Sequence, residues 1–183
     1  MRKIVAGMFI SLDGVVEAPD QWHFPYFNEE MGASVGEAIG ATDSLLLGRR
    51  NYEEWAAFWP NQDPSSDPFV SIMNDMPKYV ASTTLTAVDW QNSTLLEGDL
   101  ADAVNELKAQ PGKSIGMSGS ATLVRSLLEQ GLVDELRLLV HPLVVGRGAK
   151  LFPDGSPPVS LELADSKTFS TGVLDLTYVP VAA

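Results

Sequence analysis

The stretch Gly116 to Thr122, within SIGMSGSAT, places two glycines and two serines between a short apolar run and one with helical spacing. Such a bend opens a helix, and the first backbone N–H groups of a helix have no partner inside it. The spacing predicts that Gly116 and Gly119 end the strand. Ser120 is then expected to cap the helix through its side-chain oxygen, leaving the N–H groups of Ala121 and Thr122 directed at whatever lies in front. Unpaired donors at the positive end of a helix suit an anion, above all a phosphate. A plain strand-to-helix turn fits the same residues, since GMSG lacks the full spacing of a dinucleotide fingerprint.

A second set is Gly48-Arg49-Arg50 at the head of GRRNYEEW. Gly48 permits close backbone approach after a strand, and the guanidinium forks match phosphate oxygens. Taken alone, the pair also reads as solvated charge on a helix end. Ser82 and Thr83, followed by Thr84, close the run KYVAS; hydroxyls at the carboxyl end of a strand in an open sheet face the crevice where ligands bind. A turn that caps its own backbone is the competing account. The only histidines are His23 and His141, far apart in a chain without cysteine, so no metal site is expected.

The elements that must position these groups alternate between strand and helix. Lys3 to Ile10 is a nearly continuous apolar run ending at Asp13-Gly14, which predicts a strand in mid-sheet. A loop over Glu17 to Pro25 leads to a helix over Asn28 to Ala41, with Asn28 as cap and Met31, Val35, Ala38 and Ile39 facing a core. Short strands follow at Ser44 to Leu47, Lys78 to Ser82 and Leu95-Leu96. Helices are expected over GRRNYEEW, Phe69 to Met76, and from Asp99 or Asp102 to Leu107. Leu123, Leu127 and Leu128 form the buried stripe of the helix after Ser120, and Gly131 suits its left-handed end. Val159 to Leu163 and Val173 to Val179 alternate around Thr171-Gly172, predicting a closing antiparallel hairpin.

With 183 residues, 45% of them apolar, the chain is long enough for one core, so a single domain over 1–183 is expected. A net charge of −12 argues against nucleic acid, whose backbone needs clustered cations. The apolar run near the N-terminus is too short to span a bilayer and is broken at Ser11 to Gly14, so a membrane partner is not expected. The absence of cysteine fits a reducing cytoplasm.

The continuous stretch GSATLVRSLLEQGLVDELRLLVHPLVVGRGAKLF resembles the C-terminal signature of the dihydrofolate-reductase-like family that includes the reductase domain of bacterial riboflavin biosynthesis. GRRN resembles that family's Gly-Arg-x-Thr, with Asn51 where a Thr is usual, and SLDG resembles the segment after its first strand. The resemblance implies a three-layer α/β fold with a mixed sheet and reduction of a small heterocyclic or carbonyl substrate by NADPH. It also implies a homodimer. The nearest named activity is 5-amino-6-(5-phosphoribosylamino)uracil reductase, followed by dihydrofolate reductase; a non-catalytic NADPH-binding protein is the rival class. Gly48, Arg49, Arg50, Ser82, Thr83, Gly116, Gly119, Ser120, Ala121 and Thr122 would then hold the cofactor. Asp13 would hydrogen-bond the substrate or help deliver a proton, and Trp22 and Tyr52 are the candidate walls for a flat ring.

Overall fold

In a computed structural model, which describes residues 1–181, the chain builds one eight-stranded mixed sheet. Its strands are β1 (Ile4–Ser11), β2 (Thr42–Gly48), β3 (Lys78–Ala81), β4 (Ser93–Leu95), β5 (Ser114–Met117), β6 (Glu135–His141), β7 (Leu161–Thr168) and β8 (Leu174–Pro180). The order is β4-β3-β2-β5-β1-β6-β8-β7, parallel from β4 to β6 and antiparallel at β8 and β7. The first strand therefore lies inside the sheet, as its apolar run requires. Because the first six strands run parallel, their carboxyl ends gather along one edge, where the loops that can hold a ligand must emerge.

Five helices cover the two faces: α1 (Glu29–Gly40), α2 (Arg49–Phe58), α3 (Pro68–Asp75), α4 (Leu100–Ala109) and α5 (Ala121–Glu129). Alternation along the strands sends Leu46, Ile115, Met117 and Leu136 into one core with Val104 and Leu107 of α4 and the leucines of α5. Leu45, Leu47 and Val80 meet Tyr52 of α2 and Met73 of α3 on the opposite face. Met31 of α1 packs there too, against Leu139, Phe169 and Val173. The expected caps Asn28 and Asp99 are in place, accepting from Met31 N at 3.0 Å and from Ala101 N at 2.9 Å. Gly131 has φ +67°, the left-handed conformation expected after α5.

Three local expectations are corrected. Gly116 lies within β5 and does not end it; a Cβ there would stand 2.9 Å from Thr42 Cγ2, so the glycine lets β2 and β5 pack closely. The seventh strand runs on through Ala164 to Thr168, because the backbone of β8 pairs with this polar stretch whatever its side chains are. In α1 the buried positions are Met31 and Ser34, while Val35, Ala38 and Ile39 are half-buried. Ser34 is drawn inward by a polar network, donating to Asp175 Oδ2 at 2.5 Å and accepting from Arg137 Nη2 at 2.6 Å.

Lys78 is the largest fully buried side chain. Its ammonium donates to the carbonyls of Asn74, Met76 and Gln91 and sits 4.1 Å from the Trp90 ring centroid. Burial pulls its pKa down to about 8 against the opposing charge of Asp75. The three carbonyls and the ring let the lysine tie the end of α3 to the segment that enters β4.

Candidate active site

The bends at Gly48 and Gly119-Ser120 come together where β2 meets α2 and β5 meets α5. Gly48 lies so close to Ser120 that a Cβ added to it would stand 3.1 Å from Ser120 Cβ and 3.2 Å from Ser120 N, with the hydroxyl nearer still. Asn51 spans the same junction from α2, donating to the Ser118 carbonyl at 3.4 Å. Gly119, at φ +122°, leaves no room there for a side chain, since a Cβ would fall 2.6 Å from Asn51 Oδ1. The peptide between Gly119 and Ser120 is cis.

A cavity of about 370 Å³ opens beside this junction. Its walls include Gly48, Arg49, Ser82, Thr83, Thr84, Ser120 and Thr122, so residues from three separated stretches are brought together. The expected Ser120 cap is absent: neither Ser120 nor Gly48 makes a side-chain cap bond, and the first N–H groups of α5 and α2 have no such partner. Ser82 instead closes its own turn, accepting from Thr84 N at 3.1 Å and Leu85 N at 3.0 Å. Arg49 lines the cavity and pairs with Glu53 one helical turn on, at 3.0 Å. Arg50 is exposed and, like Ala121 and Gly116, is not among the lining residues.

Sequence reasoning missed the far wall, formed by Leu96, Glu97, Gly98, Leu100 and Ala103 together with Leu123 and Ser126. The bend Glu97-Gly98-Asp99 before a capped helix carried a signal. It occupies the same strand-to-helix position after β4 that the other two bends occupy after β2 and β5.

The expected substrate residues fall elsewhere. Tyr52 is buried between α2 and the sheet, its hydroxyl accepting from Trp90 N at 3.0 Å, so it is a core residue and no wall of a cleft. Trp22 is half-buried at the carboxyl end of β1, donating to the Glu17 carbonyl at 3.0 Å and standing edge-on to His141. Asp13 accepts from Ser11 Oγ at 2.6 Å, Val145 N at 3.0 Å and Gly146 N at 2.8 Å. The Ser11 hydroxyl and these two amides lower its pKa to about 2. A carboxylate so held stays ionised at neutral pH, and its bonds latch the loop after β6 to the turn after β1. Replacing Asp13 by Ala is expected to speed amide hydrogen exchange at Val145 and Gly146 while exchange in β2 and β5 stays unchanged.

Beside Trp22 lie two buried imidazoles. His141 is fully buried and His23 nearly so, with ring centroids 6.2 Å apart, and Phe9 stacks on His23 at 4.7 Å. Neither His141 Nε2 nor His23 Nδ1 has a partner among the described residues. Burial lowers the pKa of both, and the charge of His141 lowers that of His23 further, against the pull of Asp20. Just below pH 6.5 the folded state therefore binds fewer protons than the unfolded chain, so stability falls as pH falls through this range. The melting temperature is expected to drop between pH 7 and pH 5, and less steeply in a His23→Phe variant.

Comparison with known proteins places this architecture. A sequence model of the RibD C-terminal domain matches residues 2–174. The chain belongs to the RibD C-terminal domain family. It is 32% identical over 180 residues to YyaP of Bacillus subtilis (strain 168), covering 97% of this chain and 94% of the relative. Among solved structures, one from Shewanella sp. PV-4 named for riboflavin biosynthesis superposes with a TM-score of 0.78 at 20% identity, covering 98% of this chain and 99% of that one. Enterococcus faecalis dihydrofolate reductase, solved with NADP(H), gives a TM-score of 0.64 at 14% identity, covering 98% of this chain and 97% of that one. The shared fold is the dihydrofolate-reductase-like three-layer arrangement with a C-terminal antiparallel hairpin, as the sequence implied.

Proposed function

We propose that this family member is an NADPH-dependent reductase of a small heterocyclic or carbonyl compound, with 5-amino-6-(5-phosphoribosylamino)uracil as the nearest candidate substrate and dihydrofolate as the second. The observation that carries this reading is the meeting of two helix starts, each without a side-chain cap, beside one cavity. Free N–H groups at Arg49 and Ala121 suit a pyrophosphate, and the bare backbone of Gly48 lets it approach closely. The cavity beyond, lined by Ser82, Thr83 and Thr84, suits the adenosine half. Arg49 would add a charged contact and Asn51 would hold the two bends in register. The dinucleotide, when bound, supplies the hydride; the chain orients it and excludes water.

Support comes also from the names of structural relatives: a Thermotoga maritima deaminase and 5-amino-6-(5-phosphoribosylamino)uracil reductase has a TM-score of 0.68 at 13% identity. The engagement of the Asp13 carboxylate with Ser11 and the 145–146 backbone favours a second reading, a dinucleotide-binding protein without turnover. The reading extends to a homodimer joined at the C-terminal strands, since β7 is exposed along almost its full length; sedimentation of the pure protein tests that part. The deciding experiment is fluorescence titration with NADPH, followed by absorbance decay with pyrimidine and pterin substrates. Saturable binding with decay supports a reductase, binding without decay supports the second reading, and no binding overturns both.

A further inference from the structure

The cavity beside the two bends carries opposite charges. Among its lining residues Arg49 is the one cation and Glu97 the one anion. Sheet order fixes their relation to the hydroxyl corner: Arg49 follows β2, Ser82 follows β3 and Glu97 lies just beyond β4, and these strands are neighbours in that order. The Ser82–Thr84 corner thus sits between a guanidinium on one side and a carboxylate on the other. Arg49 is partly compensated, donating to both oxygens of Glu53 at 3.0 and 3.3 Å. Glu97 is exposed and makes no hydrogen bond or ion pair among the described residues, so its charge is uncompensated by any neighbour.

A ribose lying at this corner meets Glu97 differently in the two nicotinamide dinucleotides. The neutral 2′-hydroxyl of NADH can donate to a carboxylate, whereas the 2′-phosphate of NADPH is an anion repelled by it. We propose that Glu97 sets cofactor specificity here, holding down affinity for the phosphorylated dinucleotide so that NADH competes with NADPH. The inference rests on the dinucleotide reading above and refines it by assigning discrimination to one residue. Arg49, partly neutralised by Glu53, pulls the phosphate in and the uncompensated Glu97 pushes it away, so the two cofactors are expected to bind within about tenfold of each other.

The test is titration of the wild-type protein and of Glu97→Gln and Glu97→Lys variants with NADH and NADPH, followed by nucleotide fluorescence and by thermal shift. Glu97 lies on the surface with no bonding partners, so the substitutions leave the fold intact. Glu97→Gln is expected to tighten NADPH by about tenfold at low ionic strength, an effect that shrinks in salt, while NADH binding stays within about twofold. Glu97→Lys tightens NADPH further. Equal tightening of both nucleotides, no change in either, or a wild-type preference for NADPH well beyond tenfold would each overturn the assignment while leaving the dinucleotide reading standing. Absence of binding by either nucleotide to any of the three proteins would remove that reading, and the assignment with it.

Discussion

Gly48→Ala is expected to weaken dinucleotide binding by about a hundredfold while the protein remains folded. The backbone at Gly48 has φ −76° and ψ 158°, a conformation any residue adopts, so the substitution carries no dihedral strain. Its effect comes from space alone. The new methyl would press on Ser120 Cβ, N and Oγ and drive the start of α2 away from the start of α5. Rotating the serine hydroxyl relieves only one of the three contacts. Misplacing positioned groups by about 1 Å costs on the order of a hundredfold in reaction rate, and a loss of similar size is expected for backbone donors that must grip one ligand together. NADPH titration together with far-ultraviolet circular dichroism checks it, and undiminished affinity would mean that the two bends do not act as one grip. Gly119→Ala is a poorer probe, because its φ of +122° adds backbone strain to the clash with Asn51.

Asp175→Ala should destabilise the protein by about 3 kcal/mol, lowering the melting temperature by roughly 10 °C for a chain of this size. Asp175 is buried in β8, where it accepts from Arg137 Nε at 2.9 Å, Arg137 Nη2 at 2.7 Å and Ser34 Oγ at 2.5 Å. Burial pushes its carboxyl up, and the bonds from Arg137 and Ser34 outweigh that, so the net pKa is lowered. Truncation removes the buried partner of the Arg137 guanidinium, leaving Ser34 as its hydrogen-bond partner in this network and Glu37 and Asp165 as the carboxylates that still act on it. A double variant, Asp175→Leu with Arg137→Met, removes both charges and is expected to recover most of the loss. If the single and double variants melt alike, the cost lies in packing and the ion pair contributes nothing.

Acid should act on these groups in sequence. The buried histidines lose their contribution first, as pH falls below about 6.5. Carboxylates with lowered pKa values, Asp13 and Asp175 among them, contribute stability that persists through that range and is lost only below the ordinary carboxylate pKa.

How much of this was legible beforehand varies with the kind of interaction. The alternation of strands and helices, the caps Asn28 and Asp99, the left-handed Gly131 and the closing hairpin follow from local periodicity and turn chemistry, which act over a few residues. The bends at Gly48 and Gly119-Ser120 were visible for the same reason, as glycine and serine between strand and helix. Tyr52 was misjudged because an aromatic ring suits a core and a cleft equally, and only its neighbours decide. Asp13 looked available because its partners Val145 and Gly146 lie more than a hundred residues away, joined to it when β1 and β6 pair. Lys78 offered no sign that it would be buried, since its three carbonyls come from the end of α3 and from the separate segment that enters β4.

By itself, then, the sequence determined which segments become strands and helices and where glycine- and serine-bearing helix starts would stand, since backbone preference and hydrophobic period are written into neighbouring residues; that Ser120 leaves its helix start uncapped was decided by the fold. Tertiary structure alone decided that three of the bends open on one cavity, that Glu97 faces the same space as Arg49, and that Asp13 is a latch. The reason is that strand order brings distant residues together, and strand order depends on how whole faces bury against one another.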